Sequence, residues 1–138
     1  SPALSIVGSA MHVTTFGGHP LSCAAALAAL RETVDRDLPG RAAATGTLFL
    51  HGLQELARRH PIVRAVRGAG MLLGMELASP AATRGFASAC LARGLIVNWT
   101  LHRDTVIRLA PPLVLTRAEV RHALATMDAA LAGLRRRR

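Results

Sequence analysis

The chain contains no lysine and no tyrosine, and it has few aromatic residues of any kind. All 17 residues counted as lysine or arginine are arginines, so no side-chain amine within these residues can form a Schiff base. Aromatic residues make up 3% of the 138 residues, which counts against single-stranded nucleic-acid binding, because that function relies on stacking platforms. Two cysteines, Cys23 and Cys90, are too few for a disulfide framework or a zinc site. We expect both thiols to be buried and the protein to work in a reducing cytoplasm.

Net charge and hydropathy exclude further classes of function. The net charge of +9 invites a nucleic-acid function, but the arginines are spread along the chain and only residues 135–138 form a run. We interpret that run as a solvated tail, and we predict no nucleic-acid partner. No apolar stretch reaches the roughly 18 residues of a membrane span, and no secretory signal is visible. The six histidines lack metal-ligand spacing, so no metal site is predicted.

The segment from Thr14 to Leu21, T-T-F-G-G-H-P-L, has the composition of an anion-binding loop that leads into a helix. Two hydroxyls and two glycines precede Pro20, which can open a helix at its first turn. Glycine allows the backbone to approach a ligand closely, and the free N–H groups of a helix start favour an anion. A plain Gly-Gly turn before a helix is the alternative, and the loop alone does not separate the two.

Arg108 interrupts the apolar segment V-I-R-L-A-P-P-L at residues 106–113. A guanidinium at the end of such a strand can form a bidentate pair with a carboxylate in a partly dry site. The alternative, an arginine facing solvent from an edge strand, is more frequent for an isolated case. The segment 67–70, R-G-A-G, is predicted to be a tight turn between two strands, and Glu76 is expected to pair with an arginine in a structural role.

Local patterns predict four helices and four short strands. The helices are expected over 20–35, 41–60 and 81–93 and after a Thr116–Glu119 capping box, with a chain break at 37–40. The strands are expected over 62–66, 71–77, 95–99 and 105–109. This order predicts an α/β domain in which helices cover one face of a short mixed sheet. The first 34 residues do not fit this domain and resemble the end of a neighbouring one.

Four motifs in register resemble class III pyridoxal-phosphate-dependent aminotransferases, above all the acetylornithine and ornithine aminotransferase group. They are H-x-T-T-F-G-G-x-P-L-x-C-A-A-A-L at 12–27, V-R-G-x-G-M-L-L-G-M-E-L at 66–77, G-L-I-V-N at 94–98 and V-I-R-L-A-P-P-L at 106–113. The resemblance implies the C-terminal portion of a fold-type-I enzyme. Residues 1–36 would be the end of the large domain with its cofactor-phosphate loop and connecting helix. Residues 41–138 would form the small C-terminal domain.

The resemblance also implies roles for three residues. Thr15, with Thr14 beside it, would contact the phosphate of pyridoxal 5'-phosphate across the interface of a homodimer, and Arg108 would hold the substrate carboxylate. His19 stands where the family usually has asparagine. The substrates would be an amino acid or ω-amine and a 2-oxo acid.

The family's Schiff-base lysine precedes the threonine loop, so this chain contains no catalytic residue of that kind. We expect the isolated chain to be inactive. The alternatives are another fold-type-I enzyme, such as an aminomutase, decarboxylase or racemase, and a non-catalytic folded remnant or interaction domain.

Overall fold

The structure, a computed structural model, describes residues 14–100 and 102–135, which form two compact units divided after Asp37. The N-terminal unit contains a turn at residues 15–18 and the helix α1 (Pro20–Asp35). The proline stands in the first turn of α1, where its missing N–H removes no helical hydrogen bond. The prediction of this helix is confirmed. His12, the first residue of the threonine-loop motif, and the arginines at 136–138 lie outside the described residues.

The C-terminal unit consists of three helices and four strands. In chain order these are α2 (Leu38–Arg59), β1 (Val63–Ala69), β2 (Leu72–Leu77), α3 (Pro80–Leu91), β3 (Asn98–Trp99), β4 (Val106–Leu109) and α4 (Arg117–Arg135). The strands form one sheet in the order β1-β2-β4-β3. An α/β fold was predicted, and the described elements have that composition.

All three strand pairings are antiparallel, so the prediction of a mixed sheet is wrong in this respect. The two hairpins, β1–β2 and β3–β4, account for two of the pairings. After β2 the chain passes through α3 and returns to the sheet as β3, which runs in the same direction as β2. However, β4 lies between β2 and β3 and is antiparallel to both. The alternation of helices and strands therefore produces no parallel neighbours.

One face of the sheet carries the core. Leu73, Met75 and Leu77 of β2 are buried, and they alternate with residues that point to the other face. Ile107 and Leu109 of β4 extend this apolar surface. The helices add most of the other buried side chains of the cluster, among them Phe49, Leu53, Leu56, Phe86, Val120, Met127 and Leu131. The alternate residues of β2 and β4, among them Glu76, Val106 and Arg108, point to the opposite face of the sheet.

Several element boundaries differ from those predicted. The helix α2 begins at Leu38 rather than after a break at 37–40, because a proline in the first turn costs no hydrogen bond and Leu38 is buried. Strand β1 continues to Ala69, so the turn is reduced to Gly70 and Met71. Gly70 has a φ of 52°, a conformation that favours glycine. Cys23 lies exposed on α1, whereas Cys90 is buried as expected.

The helix-end signals are confirmed. Thr116 donates its backbone N–H to the Glu119 carboxylate over 2.8 Å, and Glu119 donates its own N–H to the Thr116 hydroxyl over 3.2 Å. These reciprocal bonds form the predicted capping box at the start of α4. After α3, Gly94 adopts a φ of 79°, and the N–H of Leu95 donates to the carbonyl of Cys90. Of the helices in the described ranges, none combines the length and apolar character needed to cross a membrane.

Candidate anion-binding sites

The threonine loop folds back on itself directly before α1. The N–H of Gly17 donates to the carbonyl of Thr14 over 3.4 Å, and the N–H of His19 donates to the carbonyl of Phe16 over 3.1 Å. A side chain on Gly17 would overlap the methyl group of Thr14, so another residue here would displace the Thr14 side chain. Gly18 then takes a φ of 77°, a conformation that favours glycine. The two glycines therefore suit the shape of the loop, beyond marking a turn.

The start of α1 has free hydrogen-bond donors. His19 occupies the N-cap position in an extended conformation, but its side chain makes no capping bond. The first turn of α1 contains no acidic residue. The first N–H groups of a helix have no partner within the helix, and they carry its positive dipole end. With the exposed Thr14 and Thr15 beside it, this terminus has the donors that a phosphate group requires.

Arg108 lies on an interior strand of the sheet. It is opposite Gly74 of β2 on one side and Asn98 of β3 on the other. Its neighbours Ile107 and Leu109 are buried, while the Arg108 side chain is exposed. Within residues 14–100 and 102–135, the guanidinium makes no hydrogen bond and no ion pair. It is therefore available to an external carboxylate, for which a bidentate pair is its preferred geometry.

A groove runs along the sheet next to Arg108. Its volume is about 530 Å³, and its lining includes Arg67, Gly74, Val106 and Arg108. Because Gly74 has no side chain, the space between Arg67 and Arg108 is left open. A smaller cavity of about 290 Å³, also bordered by Arg108, is lined mostly by apolar residues. Charged side chains thus stand at the rims of largely apolar walls, an arrangement that suits a small organic anion.

Glu76 forms ion pairs with two arginines, on the face of the sheet that also carries Arg108. Its Oε2 accepts from Arg67 over 3.1 Å, and its Oε1 lies 3.1 Å from an Nη atom of Arg103. The Glu76 side chain is 19% exposed, whereas the two arginine side chains are 55% and 65% exposed. The expected pairing of Glu76 with an arginine is confirmed. Sequence reasoning assigned Arg67 to a turn and gave Arg103 no role, since their convergence depends on the strand register.

The predicted residues fall in different parts of the chain. Thr14 and Thr15 belong to the N-terminal unit and Arg108 to the C-terminal unit, and each site is described within its own unit. In the described parts of both units, no group of three histidine, cysteine, aspartate or glutamate side chains could hold a metal ion.

Comparison with known proteins identifies the family to which this chain belongs. The sequence profile of the family "Aminotransferase class-III" matches residues 3–131. Ornithine aminotransferase 2 of Staphylococcus aureus is 43% identical over 121 residues, which are 88% of this chain and 29% of that protein. The chain therefore spans under a third of the length of that relative.

Solved structures agree with the sequence match. An ornithine aminotransferase from Toxoplasma gondii superimposes with a TM-score of 0.84 and 29% identity, over 100% of this chain and 33% of that one. An amine transaminase from an uncultivated Pseudomonas species, in its PLP-bound form, has a TM-score of 0.80 and 36% identity. That match covers 91% of this chain and 30% of the other. By sequence and by fold, the chain belongs to the class III aminotransferases.

Proposed function

We propose that this chain is the C-terminal part of a pyridoxal-phosphate-dependent aminotransferase, which moves an amino group between an amino acid or ω-amine and a 2-oxo acid. Residues 1–36 are then the end of the large domain, and residues 41–138 are the small domain. The division of the structure after Asp37 supports this assignment. Family membership supports the reaction class, and the observation that carries the proposal is the exposed guanidinium of Arg108, which has no ion-pair partner in the described part of the chain.

Arg108 binds and orients the carboxylate of the amino acid or the oxo acid. A bidentate pair fixes both position and direction, because the guanidinium presents two parallel N–H donors. The reacting carbon is thereby held at one place relative to the carboxylate, which replaces an encounter in solution by a positioned one. The apolar walls of the neighbouring groove exclude part of the water and strengthen this pair.

Thr14 and Thr15 hold the cofactor phosphate together with the free N–H groups at the start of α1. When bound, pyridoxal phosphate supplies the carbonyl that takes up the amino group and the ring that withdraws electrons from the reacting carbon. The loop of this chain fits the phosphate by its donors: two exposed hydroxyls, an uncapped helix terminus and no nearby acid in the first turn. The phosphate belongs to the cofactor of the partner subunit in a homodimer.

The chemistry also requires a lysine amine, and this chain has none. The lysine is supplied by a part of the protein outside these residues, so the isolated chain has no transaminase activity. We further propose a cytoplasmic location. The two cysteines support it, because both thiols are free.

The test of the substrate role is Arg108→Leu in the full-length enzyme. We expect kcat/KM for a carboxylate-bearing amino donor to fall about tenfold to a hundredfold, the loss of a charged hydrogen-bonded pair of about 1.5–3 kcal/mol. An amine donor without a carboxylate should lose far less, and cofactor affinity should be unchanged. Arg64→Leu is the matched control, since Arg64 is an exposed arginine of β1, a strand of the same sheet that does not pair with β4. Equal losses for the two kinds of donor would refute the assigned role.

The phosphate role is tested separately by Thr15→Val. We expect the dissociation constant of the cofactor to rise about fivefold, as for the loss of one hydrogen bond of about 1 kcal/mol. Thr33→Val is the matched control, because the Thr33 hydroxyl donates within α1 to the carbonyl of Ala29. The measurement is a fluorescence titration of the apoenzyme with pyridoxal phosphate. An unchanged dissociation constant for the Thr15 variant would remove this residue from the phosphate site.

A further inference from the structure

Glu76 stands where two arginines can reach it from opposite sides. Arg67 of β1 and Arg108 of β4 both lie opposite Gly74 of β2, one on each side. Glu76 is two residues further along β2, so its side chain is on the same face of the sheet as the two arginines. Diagonal neighbours on adjacent strands are about 7–8 Å apart, a separation that long side chains can bridge. The strand register therefore allows the Glu76 carboxylate to form an ion pair with either Arg67 or Arg108.

In the structure, Glu76 pairs with arginines other than Arg108. One oxygen of Glu76 accepts from Arg67, and the other pairs with Arg103, both over 3.1 Å. Arg103 comes from the loop between β3 and β4. Each carboxylate oxygen thus has an arginine partner, while Arg108 is left without an ion-pair partner among the residues that the structure describes. The Glu76 side chain is 19% exposed, so the two arginines replace part of the water that would otherwise surround its carboxylate.

We propose that Arg67 and Arg103 are positioning residues that hold Glu76 away from Arg108 and so keep Arg108 free for a substrate carboxylate. This inference rests on the proposed role of Arg108. A carboxylate on the adjacent strand is present at high effective concentration, so a released Glu76 would compete directly with the substrate. Arg67 and Arg103 together exceed the charge of Glu76 by one unit, so with Arg108 this face also attracts anions.

The test is the double variant Arg67→Gln/Arg103→Gln in the full-length enzyme. We expect KM for a carboxylate substrate to rise about two- to fivefold, the range of an ion pair of modest strength, with little change in kcat. The inhibition constant of propionate, an unreactive carboxylate, should rise by the same factor. Adding Glu76→Gln should lower both constants again, most of the way to the wild-type values, because the competing carboxylate is then gone. Arg64→Gln removes the same charge from β1 and should leave both constants unchanged.

Rescue by Glu76→Gln separates this inference from a purely structural role. If Arg67 and Arg103 only stabilised the sheet, removing Glu76 as well would not restore substrate affinity. Unchanged constants in the double variant, or a rise that Glu76→Gln does not reverse, would overturn the inference. If the double variant does not fold, the single Arg103→Gln variant changes an exposed loop residue, and it should give a smaller rise that Glu76→Gln reverses.

The Arg108→Leu variant, measured in parallel, identifies which proposal has failed. If it raises the propionate inhibition constant and the double variant does not, only the present inference is wrong. If Arg108→Leu has no effect, the proposed function of Arg108 is wrong and the positioning role fails with it.

Discussion

His60 and Asp128 join the C-terminal end of α2 to α4, and we predict that this contact is a main source of stability outside the apolar core. Nε2 of His60 lies 2.6 Å from Oδ1 of Asp128, and Arg59 donates to the other carboxylate oxygen, also over 2.6 Å. The His60 side chain is 7% exposed, so little of its ring is in contact with water. Replacing Asp128 by alanine therefore leaves the buried imidazole nitrogen Nε2 without a hydrogen bond.

These contacts determine how much the Asp128→Ala substitution lowers the free energy of unfolding. A buried polar atom left unsatisfied costs about 1–3 kcal/mol, and the pair with the half-exposed Arg59 adds about 0.2–1 kcal/mol. We expect Asp128→Ala to lower the free energy of unfolding by about 2 kcal/mol, measured by urea denaturation at pH 7. Asp104→Ala is the matched control, because Asp104 is exposed and has no hydrogen bond or ion pair within residues 14–100 and 102–135.

The effect depends on pH in a defined direction. The hydrogen bond with His60, followed by that with Arg59, lowers the pKa of Asp128 below its ordinary value of 3.8. A carboxyl group whose pKa is lowered on folding contributes stability above its unfolded pKa, and the contribution is lost as the pH falls through the folded pKa. The difference between wild type and Asp128→Ala should therefore be full at pH 5 and above and shrink below about pH 4. Equal stability of the Asp128→Ala and Asp104→Ala variants at pH 7 would refute the reasoning.

Two further predictions concern packing and thiol reactivity. A side chain on Gly46 of α2 would overlap the carbonyl group of the β1–β2 turn, so Gly46→Ala should lower the unfolding free energy by about 1–3 kcal/mol. A side chain on Gly74 would lie 3.6 Å from Val106, an ordinary contact, so Gly74→Ala should leave the urea midpoint unchanged or slightly raised. Burial raises the pKa of the Cys90 thiol to about 11, so Cys90 should resist a maleimide reagent at pH 8 in the native protein and react after unfolding. Labelling of native Cys90 detected by peptide mass spectrometry would contradict this.

Local signals made the helices predictable. Pro20, the Thr116–Glu119 capping box and Gly94 each act within one turn of the chain. Pro20 and the capping box mark the starts of α1 and α4 where the structure has them, whereas α3 ends at Leu91, before the predicted end at residue 93. The start of α2 was missed because Asp37 to Gly40 contains turn-forming residues, whereas burial of Leu38 favours continuing the helix. Tertiary packing, which a local pattern does not contain, decided that boundary.

The sheet and the candidate site were only partly predictable, because both depend on register. The apolar run at 95–99 predicted a strand, but only Asn98 and Trp99 join the ladder. Leu95 and Val97 pack against the core from the preceding loop. Thr14, Thr15 and Arg108 could be selected from motifs, and their roles remain predictions. The pairing of Glu76 with Arg67 and Arg103 required knowing which residues of β1, β2 and β4 are neighbours, and such pairing is not encoded in any one segment.

The strand order also determines which contacts of Glu76 are local in the chain. The β1–β2 hairpin closes through a two-residue turn, so Arg67 and Glu76 meet through a local contact. Strand β4 reaches β2 only after the intervening chain, which contains α3 and β3, has been brought back to the sheet. Contacts that close short loops form faster than those that close long ones. Glu76 can thus meet Arg67 within one hairpin, whereas a contact with Arg108 requires the long-range return of β4 to the sheet.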